Sequence, residues 1–218
     1  MGRRFDLIIF DWDGTLMDSA ALIADSVQAA ARDLGLAVPT EERARHIIGL
    51  GLVDALRYAM PDLQPDRYQE AAERYRHHYL SRDHQLNLFD GAEDLIAELS
   101  GAGYFLAVAT GKSRAGLDRA LADSGLGTYF HASRCADECH SKPHPQMVEQ
   151  LMGEFGVIPE QTLMIGDTVH DLQMAKNAGV PSLAVCYGAH PRALLEAEVP
   201  LHCAASVAEM SAWLRANV

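Results

Sequence analysis

The run Leu7-Ile8-Ile9-Phe10-Asp11-Trp12-Asp13-Gly14-Thr15-Leu16 decides the fold class of this chain. Its first four residues are apolar, which is typical of a parallel strand that is buried on both faces. Two carboxylates, Asp11 and Asp13, follow the strand directly, and Gly14 permits a sharp turn. Ligands of an open α/β sheet bind beyond the carboxyl ends of its strands. We therefore expect both carboxylates to lie in a binding crevice.

Three later segments repeat the pattern of a short apolar strand bounded by turn residues, at 104–109, 161–165 and 181–185. Helical patterns precede or follow these strands, at 93–99, 114–123, 145–155 and 171–178. Strands that alternate with helices in this way predict right-handed βαβ units. The fold class that we predict is α/β, with a doubly wound parallel sheet.

Residues 18–88 break this alternation, because their apolar side chains recur at helical spacing only. Gly49-Leu50-Gly51 marks a turn between two of the helical stretches. A run of helices placed directly after the first strand indicates an inserted cap. We predict a catalytic core formed by residues 1–17 and 89–218 and a helical cap domain formed by residues 18–88.

Composition argues against several classes of function. The 218 residues carry a formal charge of −12, whereas nucleic-acid binding requires a basic patch. No apolar run approaches the roughly 18–20 residues needed to span a bilayer, so we expect no membrane segment and a cytoplasmic location. Cys135, Cys139 and His140 have a spacing compatible with zinc ligands, but no second pair lies nearby, and we interpret them as residues around a strand end. A monomer and a homodimer both stay open.

The predicted strand ends and one helix start carry polar side chains that parallel order brings to one sheet edge: Asp11, Asp13, Thr110, Lys142, Asp167 and Asp171. Several carboxylates in a dry pocket raise one another's pKa values or require a cation. Mg²⁺ prefers oxygen ligands and is the natural choice beside a phosphate. A metal ion beside a carboxylate nucleophile is typical of phosphoryl transfer through an aspartyl-phosphate.

These signals, in this order, resemble the motifs of the haloacid dehalogenase-like hydrolase superfamily. The helical insert resembles the cap of its phosphoglycolate-phosphatase-like subgroup. The resemblance covers nearly the whole chain, and its specific parts are the first motif, at 11–16, and the fourth motif, at 166–171. It implies a Rossmann-like core and a Mg²⁺-dependent phosphomonoesterase that acts on a small phosphorylated metabolite.

The resemblance also implies a role for each catalytic residue. Asp11 would be the nucleophile that attacks phosphorus. Asp13 would protonate the leaving alcohol and then deprotonate the water that hydrolyses the aspartyl-phosphate. Thr110 would donate a hydrogen bond to a phosphoryl oxygen, and Lys142 would neutralise charge on Asp11 and on the phosphoryl group.

The implied metal site draws on four aspartates. The carboxylates of Asp11 and Asp167 and the backbone carbonyl of Asp13 would be ligands of the Mg²⁺. Asp171 would hold the site indirectly or through water. Taken one at a time, such aspartates more often cap helices or form turns, so their order behind successive strands carries the inference.

The sequence departs from the commoner family pattern at Gly111, where many relatives have Asn, so substrate contact there would be made by backbone only. Lys112 follows; its side chain is long enough to reach the pocket, but we interpret it as a solvated residue at a helix start. Arg45, His46 and Arg57 of the cap are candidates for substrate contact. An arginine could hold a carboxylate bidentately, as phosphoglycolate would require, although a solvated helix face explains these arginines equally well.

Several other functions stay open. A phosphomutase uses the same core and a similar cap. A dehalogenase needs neither a metal nor a protonated leaving group, so Asp13 and Asp167 argue against it. A phosphoacceptor signalling module also combines an aspartate cluster with Thr and Lys, but its acceptor does not follow the first strand with a helical cap behind it. A purely structural protein would not gather so many acids.

Overall fold

A computed structural model describes residues 4–218 of the chain, so residues 1–3 of the predicted core lie outside the described part. Six parallel strands form one sheet in the order β3-β2-β1-β4-β5-β6. The strands are β1 (Leu7–Phe10), β2 (Phe105–Thr110), β3 (Ala132–Cys135), β4 (Thr162–Gly166), β5 (Ser182–Val185) and β6 (Cys203–Ala204). The prediction of an α/β fold with a doubly wound parallel sheet is confirmed.

The described residues also form ten α-helices. The first four follow β1: α1 (Ala20–Asp33), α2 (Glu41–His46), α3 (Leu52–Ala59) and α4 (Tyr68–Leu80). The others alternate with the remaining strands: α5 (Ala92–Gly101), α6 (Arg114–Ser124), α7 (Gln146–Phe155), α8 (Val169–Asn177), α9 (Arg192–Ala197) and α10 (Val207–Asn217). None of these helices is long and apolar enough to cross a bilayer.

The sheet is covered on both faces because side chains alternate along each strand. In β1, Ile8 and Phe10 pack into a cluster that includes residues of α5 and α10. Leu7 and Ile9 pack on the other face, in a cluster with residues of α7 and α8. All four side chains are fully buried. This double burial explains why the strand is a continuous apolar run.

The four strands expected from the sequence occur within one residue of the expected bounds. β3 and β6 were not predicted. β3 contains Ser133 and Arg134 and buries only its last residue, Cys135, while β6 has two residues. Cys135 therefore does lie at a strand end. The groups in residues 4–218 that could share a metal ion do not include Cys135, Cys139 or His140.

Helices α1 to α4 have an apolar cluster of their own, which Ala189 of the remaining chain also joins. Two adjacent linkers connect these helices to the sheet. The N–H of Asp18 donates to the carbonyl of Asn87 at 3.0 Å, and the N–H of Phe89 donates to the carbonyl of Leu16 at 3.0 Å. The domain division at 17/18 and 88/89 stays a prediction. An inserted domain needs its entry and exit segments to lie side by side, and these two linkers do.

Candidate active site

The site lies where the strand order reverses. β1 is central, with β2 on one side and β4 on the other. In such sheets a crevice opens at the carboxyl ends of these strands. Asp11 is the first residue past β1, and its N–H donates to the carbonyl of Ile165 in β4 at 2.9 Å. Thr110 ends β2 and Gly166 ends β4, so the side chains that follow β1, β2 and β4 meet at one edge.

Lys142 joins two carboxylates in the interior. Its Nζ donates to Oδ1 of Asp11 at 2.7 Å and to Oδ1 of Asp171 at 2.6 Å. All three side chains are buried. Burial disfavours the ammonium, but the attraction of Asp11 and then of Asp171 outweighs it, and the pKa of Lys142 is raised. The ammonium therefore stays charged at neutral pH.

Asp171 also closes the first turn of α8. Its Oδ2 accepts hydrogen bonds from the N–H of Thr168 at 3.1 Å and from the hydroxyl of Thr168 at 2.7 Å. Thr168 caps the helix in return, which completes a reciprocal capping box. Both carboxylate oxygens of Asp171 thus have donors. Its role at a metal stays a prediction, and the contacts seen are those of a partner for Lys142 and Thr168.

Asp167 lies beside the turn that follows β1. Its Oδ1 accepts from the hydroxyl of Thr15 at 3.0 Å, and its Oδ2 accepts from the N–H of Ala189 at 2.7 Å. A Cβ at Gly14 or at Gly188 would collide with Oδ2 of Asp167. Gly14 also has a φ of +79°, so glycine is required there for both reasons. The glycine of the first motif thus allows the carboxylate of Asp167 to lie against the backbone of the turn after β1.

The carboxylates of Asp11, Asp167 and Asp171 each bring one oxygen within 4.8 Å of the others. Within residues 4–218, Oδ2 of Asp11 is buried without a hydrogen-bond partner. Burial raises the pKa of Asp11 to about 7, although Lys142 opposes the shift. Burial and the neighbouring Asp11 raise the pKa of Asp167. A divalent cation would give the unpartnered oxygen of Asp11 a partner and would offset the repulsion between the carboxylates. This all-oxygen donor set therefore fits Mg²⁺.

Asp13 contacts a cation that the sequence analysis had interpreted as solvated. Nζ of Lys112 lies 3.0 Å from Oδ1 of Asp13, and the hydroxyl of Ser19 donates to the same oxygen at 2.6 Å. The Lys112 side chain is only 11% exposed. The interpretation of Lys112 as a solvated residue was therefore wrong, because its stem turns inward from the start of α6 toward Asp13.

Gly111 is covered by the loop between α2 and α3. A Cβ at position 111 would lie 2.5 Å from the carbonyl oxygen of Leu50 and 2.6 Å from that of Gly49. The N–H of Gly51 donates to Oγ of Ser141 at 2.8 Å. The missing side chain at Gly111 therefore makes room for the cap backbone. Contact of Gly111 with substrate stays a prediction.

The three cap residues singled out in the sequence have different surroundings. His46 stacks on His190 with ring centroids 5.0 Å apart, and its carbonyl accepts from Nε2 of His170 at 2.7 Å and faces Nε2 of His190 at 3.2 Å. Arg45 pairs with Glu41 and Arg57 pairs with Asp54, each within its own helix segment and partly exposed. Those pairings are typical of a solvated helix face. Of the three cap residues, only His46 is therefore placed against the core, where it contacts His170 of α8 and His190.

The cap seals the site from solvent. Asp11, Thr110 and Asp167 are 0% exposed, and Lys142 is 2% exposed. Trp12 is also fully buried and packs edge-on against Phe130, as expected of a residue beneath the site. The chemistry-bearing groups therefore lie in a closed, low-dielectric environment in which charge interactions are strong.

The model of the haloacid dehalogenase-like hydrolases matches residues 8–185. This chain belongs to that family. A probable phosphatase, IndB, of Dickeya dadantii (strain 3937) is 38% identical over 201 residues, which cover 89% of this chain and 86% of the relative. The phosphoglycolate phosphatase of Aliivibrio fischeri is 34% identical over 197 residues, covering 86% and 87%. The crystal structure of a predicted phosphoglycolate phosphatase from Haemophilus somnus matches with a TM-score of 0.83 at 26% identity, covering 96% and 98%.

The structure of this hydrolase adds residues that the sequence analysis did not single out. Thr15 holds Asp167, Ser19 holds Asp13, and Tyr79 contacts Lys112. Thr15 stands inside the first motif, so its place in the sequence was a usable signal. Ser19 and Tyr79 carry no comparable signal, because only the way in which the cap helices pack brings them to Asp13 and Lys112.

Proposed function

We propose that this hydrolase is a phosphomonoesterase that cleaves a small phosphorylated metabolite through an aspartyl-phosphate on Asp11. The observation that carries the proposal is the state of that carboxylate. Asp11 is buried at the first position past β1, with one oxygen held by Lys142 and the other without a hydrogen-bond partner among the described residues. The relatives named as phosphatases support the same reaction.

In the first step, a carboxylate oxygen of Asp11 attacks phosphorus and the bond from phosphorus to the leaving oxygen breaks. Asp13 gives its proton to that oxygen, so a neutral alcohol departs. Lys142 offsets the negative charge that gathers on Asp11 and on the phosphoryl oxygens. The hydroxyl of Thr110 donates a hydrogen bond to one phosphoryl oxygen, and the fixed strand end keeps it in place.

In the second step, water attacks phosphorus and the bond from phosphorus to the Asp11 oxygen breaks. Asp13 takes the proton from that water, which returns Asp13 to its protonated form and Asp11 to its carboxylate form. Inorganic phosphate is the product. The two steps together consume one ester and one water; Asp13 gives one proton to the leaving alcohol and takes another from the water, so it ends as it began.

The residues that would hold Mg²⁺ are Asp11, Asp167 and the backbone carbonyl of Asp13, with Asp171 beside them. When bound, the ion supplies positive charge to the transferring phosphoryl group. Asp167 supports this assignment, because it is buried while its described hydrogen-bond donors, Thr15 and Ala189, are neutral. A buried carboxylate without a cationic partner is costly, and a metal ligand is a common reason for one.

The cap has to separate from the core for substrate to reach Asp11, since the site is closed to solvent. Once the cap returns, it excludes bulk water during phosphoryl transfer. The loop 49–51 faces the core at Gly111 and Ser141, so its backbone reaches the same edge of the sheet as the proposed chemistry.

The test is release of inorganic phosphate from a panel of small phosphomonoesters, with Mg²⁺ and after removal of divalent cations by EDTA. Wild type is compared with Asp11→Asn and with Asp66→Asn, an exposed aspartate of the cap that serves as the matched control. We expect turnover that requires Mg²⁺, survives Asp66→Asn and is lost in Asp11→Asn.

Turnover that persists in Asp11→Asn would contradict the role of Asp11. A phosphorylated Asp11 that forms but resists water would favour a phosphomutase over a phosphatase. The order of the esters by kcat/KM would identify the leaving alcohol that the cap accepts, and phosphoglycolate belongs in the panel because relatives of this chain are phosphoglycolate phosphatases.

A further inference from the structure

Lys112 is a charged residue beside the site that the proposed chemistry does not use. Its ammonium lies 3.0 Å from Oδ1 of Asp13 and donates to the hydroxyl of Tyr79 at 3.0 Å. The Lys112 side chain is 11% exposed and that of Asp13 is 9% exposed. A lysine withdrawn this far from water loses solvation and rotamer freedom, so its contacts have to compensate for both.

These contacts connect three separate parts of the chain. Asp13 belongs to the turn after β1, Lys112 stands between β2 and α6, and Tyr79 lies in the last turn of the cap helix α4. The ammonium also lies 4.9 Å from the centroid of the Tyr79 ring, within the range of a cation–π contact. Lys112 is therefore in contact with the core aspartate and with the cap at the same time.

Ser19 and Lys112 both contact the same carboxylate oxygen of Asp13. Ser19 Oγ donates to Oδ1 at 2.6 Å, and Nζ of Lys112 lies 3.0 Å from the same atom. One hydrogen bond and one ion pair on Oδ1 restrict the rotation of the carboxylate and leave Oδ2 as the oxygen that these groups do not contact. A proton donor in catalysis needs this kind of fixed orientation, since small misplacements cost large factors in rate.

We propose that Lys112 is a positioning residue that holds Asp13 in its reactive orientation and does so fully only while Tyr79 of the cap is docked against it. The inference rests on the proposed function, in which Asp13 exchanges a proton with the leaving alcohol. Closure of the cap thereby acts through Lys112 to orient the carboxyl group of Asp13 for proton transfer. With the cap away from the core, the ammonium loses Tyr79 and Asp13 is held less firmly.

Lys112→Met in the Mg²⁺-loaded enzyme tests the link to Asp13, because methionine keeps an unbranched stem and removes the charge. For the best alkyl phosphate of the panel, we expect kcat to fall about 10- to 100-fold, which is part of a general-acid contribution. KM should change far less. First-turnover release of nitrophenolate from p-nitrophenyl phosphate should fall much less than that of the alkyl alcohol, since nitrophenolate leaves without a proton.

Tyr79→Phe tests the link to the cap, because it removes only the hydroxyl that accepts from Lys112. We expect kcat on the alkyl phosphate to fall about 2- to 10-fold, the size of one hydrogen bond. In the Lys112→Met background the same change should have no further effect. Tyr68→Phe is the control, at the first residue of the same helix α4, and it should keep the wild-type rate.

Equal loss on the alkyl and nitrophenyl esters would mean a merely structural role and would overturn the inference. A rise in KM with kcat unchanged would make Lys112 a substrate-binding cation and would overturn it as well. If Tyr79→Phe slows Lys112→Met as much as it slows wild type, the coupling to the cap is refuted. Inactivity of wild type on every ester is instead a failure of the proposed function, so the two failures are distinguishable.

Discussion

Replacing Lys142 with Met removes the cation that the interior of the site depends on. The ammonium lies 2.7 Å from Asp11 and 2.6 Å from Asp171, and all three side chains are at most 1% exposed. Removing one partner from a buried ion pair costs about 3–5 kcal/mol, because an uncompensated charge stays in the interior. Lys142→Met should therefore lower the free energy of unfolding by about that amount at neutral pH.

Urea unfolding without divalent cations measures this loss, and for the typical dependence on denaturant it is a midpoint shift of about 1–2 M. Lys176→Met is the control, because its side chain is 70% exposed and lies 3.9 Å from Glu198, so the change should cost less than about 1 kcal/mol. The loss should also depend on pH. The pKa of Asp11 is about 7 beside Lys142, and it rises further without the ammonium.

An acid whose pKa is raised on folding destabilises the folded state once the pH exceeds its unfolded value, so the penalty of Lys142→Met should grow from pH 6 to pH 8.5. Adding Asp11→Asn should recover part of the loss, since it removes one of the two unpaired charges. A loss no larger than that of Lys176→Met, or one independent of pH, would refute this account of the buried charges.

Three further predictions follow from other contacts. Burial lowers the pKa of His190 to about 4 from an ordinary 6.5, so the unfolded chain binds the proton first. Stability should fall by up to about 3 kcal/mol between pH 6.5 and pH 4, a loss that His190→Gln should reduce in urea unfolding at each pH. Gly111→Ala should lower kcat/KM, because its Cβ would displace the carbonyls of Gly49 and Leu50, whereas Gly153→Ala meets no atom within 4 Å and should keep the wild-type value. Excess Mg²⁺ should raise the melting temperature of wild type but not of Asp167→Asn, and equal shifts would place the ion elsewhere.

The strand ends were predictable from the sequence because each is a local pattern. The apolar run before Asp11 fixes the strand, and parallel order then carries Thr110 and Asp167 to the same edge. Lys142 follows no strand directly, and its place was expected mainly from the resemblance to the family. The structure places it against Asp11, whose charge the resemblance expects it to offset, and also against Asp171, which the resemblance did not pair with it, while its catalytic role stays a prediction.

Contacts between the cap and the core were not predictable in the same way. Lys112 resembles any lysine near a helix start until the hydroxyl of Tyr79, in the cap helix α4, is known to lie 3.0 Å from its ammonium. Arg45 and Arg57 looked equally suited to bind substrate, yet each pairs with an acid on its own helix segment. These outcomes depend on how the cap docks, and no local periodicity in residues 18–88 encodes that.

The contacts between the cap and the core are compatible with a cap that opens and closes. Its apolar cluster is almost entirely its own, and Ala189 is the only fully packed core residue of the described chain that joins it. The contacts across the boundary include three hydrogen bonds, of Gly51 with Ser141, His46 with His170, and Tyr79 with Lys112, while Leu86 packs against both apolar clusters. Each such hydrogen bond contributes about 1 kcal/mol net, since water replaces it on opening. Separation of the cap therefore leaves its own apolar cluster intact, so a site that is sealed at rest can still open.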